Sequence, residues 1–158
     1  MLGTLGPGHG QLTLAVAKHV GKIYSTELDD KLVTNLQQLA ETEKKLVPVK
    51  AAETETKLPE ACCDSIFMRL VYHHLTKPAE IDASLFRSLK PGGRLAVIDR
   101  KPPPGSSRVG GVPQNRGGHG IPQKILIKEL TAAGFQVVSR LDDWPNNTYC
   151  IVFRKPSP

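Results

Sequence analysis

Apolar and polar positions along the chain alternate between two rhythms. Short β-rich runs are followed by stretches in which apolar residues recur every three or four positions, the pattern expected of an α/β sheet. Residues 3–5 read as a short first strand, and 11–20 as a helix with Leu12, Val16, Ala17 and Val20 near one face. A strand over 22–26 leads to a helix whose Leu32, Leu36, Leu39 and Ala40 share a face, with Asp29 and Asp30 suited to its N-terminus. Strands over 46–50, 65–70 and 94–99 follow, with a helix over 78–89 that places Ile81, Leu85 and Leu89 at four-residue steps. Lys90-Pro91-Gly92-Gly93 reads as a turn, and a last helix over 122–133 stops at Gly134. The segment between the final strands, 135–141 and 148–154, is too short for a helix, so that pair should be antiparallel. Residues 101–120 have no period and many Pro and Gly, which predicts either a mobile lid over the substrate or a floppy insertion. Its Lys101, Arg108 and Arg116 are placed to neutralise an anionic substrate, and the segment also carries His119.

Length and composition narrow this picture. At 158 residues, 39% of them hydrophobic and 23% charged, the chain suits one domain, 1–158, with a single core. Very few residues precede the first glycines, whereas a central strand usually has about five or six. The expectation is that an N-terminal part of the domain is missing, leaving apolar surface that favours self-association. The net charge of +6 fits a solvated basic surface or an anionic small-molecule substrate. Nucleic acid is disfavoured, because only 5% of residues are aromatic and no Arg/aromatic stripe is present for stacking on bases. No apolar run is long enough to span a bilayer, so no membrane partner is expected. The N-terminus lacks the features of a secretory signal, and the three cysteines, two of them adjacent, do not form a disulfide framework; the cytoplasm is the expected location. No His/Cys spacing matches a zinc site, so no metal is expected.

The chemistry-bearing features begin at Gly6-Pro7-Gly8-His9-Gly10, between a strand and a helix. Glycine there permits a tight turn and close approach of backbone to a ligand, and the amides that open the next helix face that ligand. Glu27 ends the second strand, where a carboxylate can accept both hydroxyls of a ribose; the other reading is a charge at a helix N-terminus. Together they point to a nucleoside-like ligand. The spacing G-x-G-x-G, rather than G-x-G-x-x-G, disfavours a nicotinamide cofactor.

These residues resemble the class I S-adenosylmethionine-dependent methyltransferases, and within them the small bacterial type-11 methyltransferase-domain group. Thr4-Leu5-Gly6-Pro7-Gly8-His9-Gly10-Gln11-Leu12-Thr13 is similar to the family's first motif, D-x-G-x-G-x-G-x-L-T. Residues from Asp64 to Leu75, ending Val71-Tyr72-His73-His74-Leu75, resemble the motif around the fourth strand, and Leu89-Lys90-Pro91-Gly92-Gly93-Arg94-Leu95 resembles L-K-P-G-G-x-L. The resemblance implies a Rossmann-like, mostly parallel sheet with an antiparallel last strand. It also implies S-adenosyl-L-methionine as cofactor, S-adenosyl-L-homocysteine as product, and methyl transfer to a small molecule. The cofactor residues it implies are Gly6, Pro7, Gly8, His9, Gly10, Glu27, Leu28, Ala52, Glu53 and Arg69. Two departures stand out: Thr4 replaces the acid that opens the first motif, and Ala52, beside Glu53, stands where the family often has an Asp near the adenine. They leave open a degenerate module that binds S-adenosylmethionine or its product without turnover.

His73 and His74 are the catalytic candidates, since they follow the fourth strand at the edge where ligands bind in open α/β sheets. They also read as packing and helix-start residues. Arg69 is placed for the cofactor's carboxylate, a substrate anion or a salt bridge. Tyr72 reads as a packed aromatic. Methyl transfer from a sulfonium needs in-line approach and exclusion of water, so positioning carries much of the catalysis.

Overall fold

A computed structural model describes residues 1–157. The order is β1 (Leu2–Leu5), α1 (Gln11–Ala17), β2 (Ile23–Glu27), α2 (Asp30–Thr42), β3 (Leu46–Lys50), β4 (Cys63–Arg69), a 3-10 turn (Tyr72–His74) and α3 (Pro78–Ser88). Then come β5 (Leu89–Asp99), a second 3-10 turn (Gln114–Arg116), α4 (Gln123–Ala132), β6 (Gln136–Trp144) and β7 (Thr148–Arg154). The seven strands form one sheet in the order β3-β2-β1-β4-β5-β7-β6. β1 to β5 run parallel, and β7 is antiparallel to both β5 and β6, as the short last connection requires.

Strand alternation separates the two faces. Ile66 and Met68 of β4, Leu95 and Val97 of β5, and Ile151 and Phe153 of β7 pack with Leu85 of α3 and with Leu126 and Leu130 of α4. On the other face Ile23 and Leu46 meet Ala17 of α1 and Leu39 of α2. Asp29 caps α2 by accepting from the backbone N–H groups of Lys31 and Leu32 at 2.9 and 3.0 Å, as its sequence position suggests. Beyond α1, the second face carries no helix over β4, β5 and β7 among the described residues, and Phe67, Ala96, Ile98 and Val152 are half-buried there.

Three local features differ from the sequence expectation. Helix α1 is shorter, and its inward residues are Thr13 and Ala17, while Leu12 is 41% exposed. The Thr13 hydroxyl faces inward toward Ser25, whose hydroxyl lies 2.9 Å from that of Thr4. This buried hydroxyl chain ties β1, β2 and α1 together at the position where the family's first motif has an acid. Residues 90–93 are not a free turn but a bulge within β5. Cys63 pairs with Leu89 and Ser65 with Arg94, so the segment between Leu89 and Arg94 loops out, with Gly92 at φ 76°. β6 runs on to Trp144, and the reversal after it uses Asn146 and Asn147 in the left-handed region, which Asn tolerates.

Candidate active site

A cavity of about 210 Å³ opens beyond the C-terminal ends of β1, β2 and β3, where ligands lie in open parallel sheets. Leu5 and Gly6 form its floor, Glu27 and Leu28 one wall, Ala52 and Glu53 the rim, and Val71 and His74 the wall toward β4. Gly6 has φ 61°, and a Cβ there would lie 2.6 Å from Val71, so only glycine lets the loop after β1 pack against the loop after β4. At Gly8 a Cβ would meet nothing within 4 Å; backbone is bare to open space there. The Gly8 amide donates to Glu27 Oε2 at 3.3 Å and the Leu28 amide to Oε1 at 2.7 Å, so the carboxylate is fixed on the cavity wall with lone pairs to spare. The bare glycine backbone, the fixed carboxylate and the apolar walls fit a nucleoside-bearing cofactor.

Strand β4 delivers the other half of the site. Leu70, at φ 56°, turns the chain sharply at the strand end and starts the 3-10 turn carrying Tyr72, His73 and His74. His73 is buried, with Nδ1 2.7 Å from Asp99 Oδ1. The Asp99 carboxylate also accepts the backbone N–H groups of His73 (3.2 Å) and Arg100 (2.8 Å). His73 Nε2 lies 3.0 Å from His119 Nδ1, and the Arg100 guanidinium donates to that same His119 nitrogen at 3.0 Å. His74, on the cavity wall, packs beside His73 with ring centroids 4.1 Å apart and planes tilted by 38°. Burial, then the neighbouring His73 and His119, push the His74 pKa below its ordinary value. His119 is lowered too, by desolvation first and then by His73 and Arg100.

Residues 4–97 match the family model described as a methyltransferase domain of type 11. The chain therefore belongs to the class I S-adenosylmethionine-dependent methyltransferases. Several solved structures share the fold. A SAM-dependent methyltransferase from Aquifex aeolicus superposes with a TM-score of 0.82 at 21% identity, over 98% of this chain and 81% of that one. One from Methanosarcina mazei gives 0.77 at 15% identity, over 99% and 92%. The [4+2]-cyclase SpnF gives 0.79 at 18% identity, over 99% and 75%. Among curated proteins, none matches this chain. The methyltransferase uses S-adenosylmethionine, and no helix is long and apolar enough to cross a membrane.

In this methyltransferase Gly6, Glu27, Leu28, Ala52, Glu53 and His74 border the cavity together. Arg69 and Pro7 instead line a smaller recess on the α1 side of the glycine loop, with Leu12 and Phe67. His9 points away, toward α2, with Nδ1 3.5 Å from the Asn35 side-chain amide. Ala52 and Glu55 exchange backbone hydrogen bonds, so Glu53 sits in a tight turn at the rim.

The charged lid needs correction. Arg116 is fully buried, and its Nη1 donates to both oxygens of Glu129 at 2.7 and 2.8 Å, so it is not free to meet an anion. Lys101 borders a surface groove beside Trp144, not the cavity. Lys101 and Arg108 stay exposed, and neither borders the cavity. Asp99 and Arg100 escaped sequence reading, although an acid ending a central strand at the ligand edge was a usable signal. His119 was visible only as one residue of an aperiodic segment.

Proposed function

We propose that this methyltransferase transfers the methyl group of S-adenosylmethionine to a small-molecule acceptor bound beside His74. The carrying observation is one cavity with the fixed Glu27 carboxylate on one wall and His74, backed by His73, on the other. In this reading Glu27 accepts the ribose hydroxyls, and the glycine-loop backbone of Gly6, Pro7, Gly8 and Gly10 runs against the cofactor's amino-acid portion. Leu28, Ala52 and Glu53 flank the adenine. Arg69, in the recess across the loop, is placed for the cofactor's carboxylate. The cofactor supplies an electrophilic methyl group on a sulfonium. The chain's own groups position the acceptor in line and exclude water, which accounts for much of the rate. His74, held toward its neutral form, accepts the acceptor's proton, and Asp99 orients His73 behind it. An anionic acceptor suits the net charge of +6.

Labelled-cofactor assays over a panel of small acceptors, alongside calorimetry with S-adenosylhomocysteine, test this. Product binding with transfer to at least one acceptor is expected. Glu27→Ala should weaken product binding by about 1.5–3 kcal/mol, the range for a hydrogen bond to a charged group; an unchanged affinity puts the ribose elsewhere. A second reading is binding without turnover. It is favoured by Thr4, whose hydroxyl is tied into the Ser25–Thr13 chain where the family has an acid. Product binding without transfer to any acceptor would select it.

A further inference from the structure

The histidine cluster does not balance its donors and acceptors. The Asp99 carboxylate can only accept from His73 Nδ1, since it already takes two backbone N–H groups; the proton of His73 is on Nδ1 and Nε2 presents a lone pair. A guanidinium can only donate, so His119 Nδ1, 3.0 Å from Arg100 Nη2, presents a lone pair as well. These two nitrogens face each other at 3.0 Å. Two lone pairs at that separation repel unless a cation stands beside both. A shared proton would satisfy the pair and would need nothing more. Yet a third imidazole is present: His74 has a ligand nitrogen in a group whose atoms all lie within 4.8 Å of one another.

We propose that His73 Nε2, His119 Nδ1 and His74 form a binding site for a divalent transition-metal ion of the zinc class. Imidazole suits such ions, and zinc sites with three protein ligands keep a fourth position open. Two nitrogens on one tetrahedral zinc at about 2.0–2.1 Å stand roughly 3.4 Å apart, close to the His73–His119 separation. Asp99 is the carboxylate that fixes the tautomer and ring plane of a ligating histidine, a role such a group commonly fills from behind the ligand. His74 is exposed, so its ring can swing to close the triangle. Arg100 Nη2 must leave His119 Nδ1 for the ion to enter, while its Nε keeps the His119 carbonyl at 3.1 Å. Arg100 therefore competes with the ion and weakens its binding. His74 itself borders the cavity, so an ion held there would adjoin it. With the ion bound, His74 would be a ligand rather than a base, and the metal would supply the Lewis acid that activates the acceptor. That use rests on the proposed methyl transfer, whereas the binding itself does not.

Tag-free full-length protein, stripped with a chelator, is titrated with cobalt(II) and then with zinc(II). A visible absorption band of tetrahedral cobalt, displaced by zinc, is expected at one equivalent. His119→Ala and His74→Ala should each weaken cobalt binding by at least about tenfold, and Asp99→Asn by about 10–100-fold, the usual loss when the group behind a ligand is removed. His19→Ala, which removes an imidazole remote from the cluster, should change nothing. Arg100→Met should tighten binding several-fold, an outcome that a plain hydrogen-bonded network does not give. His74→Ala changes an exposed side chain, so it reports even where His119→Ala fails to fold. No band from the folded protein, or a band that survives both His74→Ala and His119→Ala, overturns the site. Product calorimetry on the same samples reports on methyl transfer separately.

Discussion

Tyr72 holds one hydroxyl proton between two carboxylates, 2.8 Å from Asp82 and 3.0 Å from Glu129. One proton cannot serve both. The arrangement is satisfied if Asp82 carries its own proton and donates to the tyrosine, which then donates to Glu129. Consistent with this, burial first, then the Glu129 charge, push the Asp82 pKa up to about 7, against the lowering effects of Tyr72 and Arg116. The sign follows from linkage. Between its ordinary value of 3.8 and about 7, the folded state keeps a proton that the unfolded state has released. Stability is therefore lost as pH rises through that window. Asp82→Asn, which cannot ionise, should gain in thermal midpoint relative to wild type as pH is raised from about 4 to 7. A difference independent of pH would show that this carboxyl does not titrate there. In the same cluster, Glu129→Ala strands the buried Arg116 guanidinium and should cost about 3–5 kcal/mol in chemical unfolding. At this scale the sequence was read unevenly. Glycines and Glu27 stood out because their roles depend on backbone conformation and strand ends. Asp99 and His119 did not, because their partnership is made by tertiary approach, far apart along the chain.

Segment 101–120 divides where its contacts do. Its second half is held by the Arg116–Glu129 pair, by the His119 amide donating to Ser106 at 3.1 Å, and by Ile121 donating to the Arg100 carbonyl at 2.8 Å. Residues 103–105 and 107–108 are exposed. Hydrogen exchange should then be fast over 103–112 and slow over 116–121 in the free protein, where a whole-segment lid would exchange uniformly fast. Composition could not reveal this division, since an anchoring Arg and a solvated Arg look alike in sequence. Most other elements were legible: β3 and β7 coincide with the expected runs, and the helices differ only at their ends. The exceptions have physical causes. Residues 90–93 carry turn chemistry that the sheet absorbs as a bulge, and α1 buries a hydroxyl face because Thr13 joins the Thr4–Ser25 chain.

Across the whole molecule the two sheet faces are unequal. One is covered by α3 and α4, while over β4, β5 and β7 the other presents Phe67, Ala96, Ile98 and Val152 without a helix among the described residues. Half-buried apolar side chains left without a covering helix can take up hydrophobic probes. The folded protein should enhance the fluorescence of an apolar dye, and Ile98→Lys should reduce that signal while leaving secondary structure intact. An unchanged signal would locate dye binding elsewhere. The sheet itself was readable from alternating rhythms and the short last connection. Its uneven coverage was not, because periodicity marks which residues face inward but not what lies opposite them.

The interior position of β1, between β2 and β4, also sets an order in time. Its Leu2 pairs on one side with Ile23 and on the other with Ser65, so both neighbours leave the ribosome after it. During synthesis β2 can cover one edge early, but the other edge waits open until β4 arrives, and unpaired strand edges are where nascent chains associate wrongly. Its brevity, four residues interrupted by a glycine and followed by three more, limits how much edge is on offer during that wait.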